Sequence, residues 1–112
     1  MFEKLKADHR RYEELNRELA SPDLGSDPSR LTALMRERSA LAKLAVPYAR
    51  YLELTRRRAE VKQVIETESD PEMREYAQAE CEELARAQSE SAEYLRTLIY
   101  DQATGSDHAG VI

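Results

Sequence analysis

Residues 68–77 read Glu68-Ser69-Asp70-Pro71-Glu72-Met73-Arg74-Glu75-Tyr76-Ala77, and this stretch decides the fold. It holds a stop and a start. An aspartate directly before a proline offers a side-chain oxygen to the unpaired amides of a helix's first turn, and the proline occupies a position where its missing N–H costs nothing. Glu72 follows at the positive end of the helix dipole. Because a proline disfavours helical angles in the residue before it, a helix arriving from upstream must end ahead of Asp70.

Both sides of this junction carry the three- and four-residue apolar spacing of amphipathic helices. Downstream, the apolar positions are Met73, Tyr76, Ala77, Cys81, Leu84, Tyr94, Leu95, Leu98 and Ile99. They thin out where Ala85, Ala87, Ser89, Ser91 and Ala92 are small. Upstream, a core stripe reads Leu31, Leu34, Leu41, Leu44, Tyr48, Tyr51, Leu52, Val61, Val64 and Ile65. Pro47 interrupts that stripe, removing a backbone hydrogen bond and crowding the turn before it, so a kink or a break is expected near residues 44–46. A long bent helix is the preferred reading.

The start signal recurs at Ser26-Asp27-Pro28, preceded by the turn-forming run Ser21-Pro22-Asp23-Leu24-Gly25. Before it, Phe2, Leu5, His9, Tyr12, Leu15 and Leu19 fall on one helical stripe. The expected architecture is therefore all-α, an elongated three-helix bundle with a long antiparallel, coiled-coil-like hairpin. Its helices span about 2–20, 29–67 (kinked or broken near Pro47) and 71–100. Residues 1–100 are expected to form the helical domain, and 101–112, which lack core periodicity, a flexible tail.

Bulk properties bound the function. A chain of 112 residues has room for one modest core and not for a separate catalytic domain. No run approaches the roughly 20 apolar residues that span a bilayer, and the N-terminus lacks a secretory signal, so a cytoplasmic location and no membrane partner are expected. A net charge of −5 argues against a generic nucleic-acid binder. The charge is nonetheless segregated, with nine Lys or Arg against three Glu from Arg30 to Lys62, and three Arg against nine acids from Asp70 to Asp101. Attraction between the arms of a hairpin is one reading of that division; a basic face offered to a partner is the other. Arg56-Arg57-Arg58 is the densest positive run; a solvated face is one reading of it, and a candidate contact to a partner is the other.

Catalytic chemistry finds no constellation. His9 and His108 lack the Glu-x-x-His spacing of a di-iron bundle, since Lys6 and Gly105 stand three residues before them. Cys81 is the only cysteine and falls at core spacing, so it reads as a small packing residue. Gly25, Gly105 and Gly110 are too scattered for a phosphate loop. The tyrosines fall at helical spacing, which points to core packing. No catalytic residue, cofactor, metal or small-molecule substrate is expected, and the chain is read as not an enzyme.

Several motifs occur together in order: Arg11-Tyr12-Glu13-Glu14-Leu15-Asn16, Ser21-Pro22-Asp23, Ser26-Asp27-Pro28, Pro47 with Tyr48 and Tyr51, and the 68–77 stretch quoted above. Together they resemble the N-terminal helical domain of the bacterial peptide chain release factor 1 family. The resemblance implies a ribosome-docking element near the GTPase-associated region of the large subunit. That family's Gly-Gly-Gln loop for peptidyl-tRNA hydrolysis and Pro-x-Thr reader of stop codons are both absent from this chain. Around Leu98-Ile99-Tyr100-Asp101 the sequence departs from the family, whose members continue into a proline-containing linker and a strand, for which Val111-Ile112 would be the first residues. A fragment or truncated domain of the translation-termination family is the expectation, with a stand-alone helical-hairpin adaptor for another protein as the alternative. Self-association through apolar surface is an expected accompaniment of either reading.

Overall fold

The computed structural model describes residues 2–104. In order, these form α1 (Glu3–Leu19), a short 3-10 turn (Pro22–Ser26), α2 (Pro28–Thr67) and α3 (Pro71–Thr104), with no strand among the described residues. The structure is all-α, as the spacing of apolar residues implies. Its contacts gather in two compact units, Met1–Ala49 and Arg50–Ile112.

Local capping chemistry sets the helix starts. The amide of Arg30 donates to Asp27 Oδ1 at 3.1 Å, and Pro28 takes the first helical position of α2. The second Asp-Pro pair behaves alike, the amide of Glu72 donating to Asp70 Oδ1 at 3.1 Å at the head of α3. Between Thr67 and Pro71 only three residues make the reversal. Arg74 Nε, from the first turn of α3, donates to the Ile65 carbonyl at 3.2 Å and so satisfies an acceptor left open at the end of α2.

In the first unit, α1 packs antiparallel to the early part of α2. Leu15, Leu24 and Leu34 form a buried cluster, with Leu19, Leu31 and Leu41 packed against it. Leu24 comes from the short 3-10 turn, which Ser26 Oγ closes by donating to the Asp23 carbonyl at 2.8 Å. Two guanidinium groups bind the helices together along one side. Arg11 grips Glu37 through both Nε and Nη2, at 2.7 and 2.9 Å. Arg38 donates to the Tyr12 hydroxyl at 3.0 Å and to the Asn16 side-chain oxygen, with its guanidinium 5.0 Å from the Tyr12 ring centroid. At the other end, Phe2 and His9 meet the buried Tyr48 edge-on.

In the second unit, the later part of α2 and α3 form an antiparallel hairpin. Arg58 Nη1 donates to Gln88 Oε1 at 2.8 Å, and Gln88 Nε2 donates to Thr55 Oγ1 at 2.9 Å. Leu54, Ala77, Leu84, Ala92 and Leu95 are buried. Small residues among them let helices approach closely, in keeping with the thinning read from the alanines and serines of α3.

The structure bears on three expectations. First, α2 runs through Pro47 without interruption, as the preferred reading of one long helix has it. Lys43, whose carbonyl loses its intrahelical partner to the proline, and Val46 are both exposed. Second, α3 runs to Thr104, whose hydroxyl donates back to the Tyr100 carbonyl at 2.9 Å; the first four residues of the expected tail are helical. The remainder of that tail, with His108 and Val111-Ile112, lies outside the described residues. Third, the core stripes were partly misassigned. Leu52, Val64, Met73, Tyr76 and Tyr94 are exposed, while Ala45 and Leu54, absent from the expected stripe, are buried.

Leu15 is fully buried at the centre of the first unit's cluster. Leu15→Ala should lower unfolding free energy in urea by about 2–5 kcal/mol, the usual loss for a leucine cavity. Restoring the missing N–H with Pro47→Ala should raise it by about 1–3 kcal/mol. The Glu37 carboxyl is held below the ordinary carboxylate range chiefly by its hydrogen bond from Arg11, against a smaller desolvation effect. A depressed carboxylate adds stability that is present above the unfolded-state value, near about 4.3, and is lost as pH falls through the folded one. The melting temperature should thus hold between pH 7 and about 5 and fall below that. Glu37→Gln should make the acid decline shallower in thermal melts followed by circular dichroism.

Candidate docking site

Consecutive residues on a helix point in three directions, about 100° apart. The triplet Arg56-Arg57-Arg58 obeys this, and its members meet different fates. Arg56 lies along α2 itself, with Nε and Nη2 donating to the Glu53 carboxylate at 3.0 and 2.6 Å and Nη1 donating to Glu60. That clamp holds the Glu53 carboxyl below its usual range and raises Arg56 further above its own. Arg57 reaches across to α3, where its Nη2 stands 3.8 Å from Glu80. Arg58 turns inward to Gln88, and its Nε is buried without a hydrogen-bond partner.

The three guanidiniums therefore do not form one uniform cationic patch. Arg56 and Arg57 are about half exposed. Their ion pairs are solvent-accessible, and such pairs contribute little to stability, about 0–1 kcal/mol each. Both remain able to exchange a carboxylate for another anion. Arg58 acts as a structural strut of the hairpin.

The opposite charges of α2 and α3 meet less than their sequence segregation suggests. In the second unit only Arg57 and Glu80 form an ion pair between the two helices among the described residues. Arg56 pairs within α2 and Arg96 with Glu93 within α3. Much of the acidic charge of α3 is consequently left facing solvent.

Other candidate groups occupy packing roles. His9 is partly buried, with its ring 5.7 Å from that of Tyr48 and its Nε2 3.6 Å from Glu13. The Cys81 thiol is free and half-buried. No group of three or more His, Cys, Asp or Glu among the described residues is arranged to hold a metal ion. No helix among them is long and apolar enough to cross a membrane.

Sequence reasoning missed one surface feature. Met73 and Tyr76 were read as core, yet they stand outward at the start of α3 and, with Glu72, Glu75 and Ala79, line a shallow open depression. The signal that could have found it is the flanking of Tyr76 by glutamates on both sides, a pattern foreign to a buried position.

The PCRF domain family model matches residues 9–112. The chain is 35% identical over 99 residues to the peptide chain release factor 1 of a Geobacillus species, covering 88% of this chain and 28% of that protein. It is 34% identical over 107 residues to the peptide chain release factor 1 of Listeria welshimeri, covering 96% and 30% respectively. The chain thus spans under a third of the length of these curated relatives. No solved structure matches. Motifs, helical architecture and a family match across nearly the whole sequence agree, and the chain belongs to the PCRF domain family.

Proposed function

We propose that this chain is a non-catalytic helical module that docks on the ribosome in translation termination. The observation that carries the reading is the family match over residues 9–112, together with similarity to proteins named peptide chain release factor 1. The described residues hold the chain's charged and apolar surfaces on stiff helices, which suits a positioning element. The Gly-Gly-Gln loop and Pro-x-Thr reader that the resemblance leads one to expect of a full-length member are absent from this sequence. By the same resemblance, the docking place is the GTPase-associated region of the large subunit, in the cytoplasm.

Arg56 and Arg57 are the proposed cationic contacts, because both present guanidinium groups at the surface of α2 and both are tied only by exposed carboxylates. Arg58 supports them through Gln88. A helical-hairpin adaptor for a non-ribosomal protein is the second reading. The exposure of Met73, Tyr76, Tyr94 and Tyr100 favours it, and the same surface would permit self-association at high concentration.

Sedimentation of the chain with purified ribosomes distinguishes these readings. Recovery in the pellet at low salt and its loss toward about 0.5 M salt is the expected result, since contacts to phosphate release counterions. Arg56→Gln with Arg57→Gln should weaken recovery at least about threefold. Absence of pelleting at low salt overturns the docking reading.

A further inference from the structure

The early part of α2, in the first unit, carries an outward seam that the unit's own packing does not use. Met35, Ser39, Ala42 and Val46 succeed one another at steps of four, three and four, the spacing of the a and d positions of a coiled coil. Met35 is 54% and Val46 51% exposed, whereas Leu34 and Ala45, each one residue earlier, are buried. The helix is thus turned so that one side serves its own core and another presents two large apolar side chains, with only Ser39 and Ala42 between them. Short side chains there let a second helix come close, Met35 and Val46 acting as knobs about 16 Å apart along the axis.

In this register Arg36 and Lys43 occupy the e positions along one edge of the seam. Both are exposed, and neither makes an ion pair or side-chain hydrogen bond with a described residue. Glu37, beside Arg36 in sequence, is taken by Arg11. On the other edge the g positions are Arg38, engaged with Tyr12 and Asn16, and Ala45, which is buried. Charge at e and g selects the partner of such a seam. A second copy is opposed in both orientations: parallel pairing sets Arg38 against the second copy's Lys43, and antiparallel pairing sets e positions against e positions, cation on cation. A nucleic-acid backbone would satisfy the two cations and leave Met35 and Val46 without an apolar partner. A helix with apolar residues at a and d and carboxylates along the facing edge satisfies both.

We infer that this face of α2 docks an acidic amphipathic helix of another protein. The apolar seam of that helix packs on Met35, Ala42 and Val46, and its aspartates or glutamates meet Arg36 and Lys43. The surface uses neither Arg56 nor Arg57, and the inference does not depend on the ribosome-docking reading.

Reversal of a charge preference tests it. A labelled synthetic peptide of about three heptads, with leucine at a and d and glutamate at e and g, is titrated with the 112-residue chain at low salt and followed by fluorescence anisotropy. A control peptide carries lysine in place of every glutamate. The acidic peptide should bind at least about tenfold more tightly than the basic one. Arg36→Glu with Lys43→Glu should reverse that preference, and Val46→Asp should weaken binding of the acidic peptide about tenfold. Melting temperatures should stay near that of the unsubstituted chain, because all three side chains are exposed. Absence of binding by the acidic peptide, equal binding of the two peptides, or a preference that survives the double charge reversal overturns the inference. A uridine oligonucleotide that binds as tightly as the acidic peptide, and is lost in the same double variant, overturns it by assigning the face to phosphate. A dimer of the chain that sedimentation detects and Val46→Asp abolishes overturns it by assigning the face to a second copy.

Discussion

One helix of 40 residues, α2, supplies a wall to each of the two compact units, and it does so across a proline. An isolated helix loses about 3 kcal/mol or more to an internal proline. The helix persists because its flanks are held. Ala45 and Tyr48, on either side of Pro47, are both buried, and Tyr48 meets the rings of Phe2 and His9. Tertiary burial outweighs the local backbone penalty.

Charge plays a subordinate part in this stability. Arg11, with its two-pronged grip on Glu37, is the best-formed link between helices in the first unit, yet both partners remain substantially exposed. It aligns α1 on α2 more than it stabilises the pair. In the second unit the connection between helices is mainly neutral, through Gln88 and Thr55, with Arg58 as the charged donor. The carboxylates of α3 are therefore left largely to solvent.

The boundaries of the helices were legible because capping is local: Asp27-Pro28 and Asp70-Pro71 carry their own hydrogen-bond acceptors and stop signals within four residues. The far end of α3 was less so, since Asp101–Thr104 continue the helix with no apolar residue larger than Ala103 to mark it. Core assignment failed where periodicity offered equal choices. Leu52 and Leu54 flank Glu53 and fit a helical stripe about equally well, yet Leu54 is buried at 3% and Leu52 exposed at 37%. Tyr76 and Ala77 both fall in the expected stripe of α3, and close helix packing buries the alanine and leaves the tyrosine exposed. As for the candidate site, the arginine triplet was visible as a run, but only the fold distributes it among Glu53 and Glu60, Glu80, and Gln88.

The three-residue reversal after Thr67 bears on how the chain acquires its structure. Of the hydrogen bonds between helices described above, the one longest in sequence joins Gln88 to Thr55, 33 positions apart. Closing such short loops costs little entropy, and a topology made of neighbours in sequence belongs to the fast end of folding rates. The first unit needs no residue of α3 for its leucine cluster, so that cluster can assemble while the rest of the polypeptide is still being synthesised.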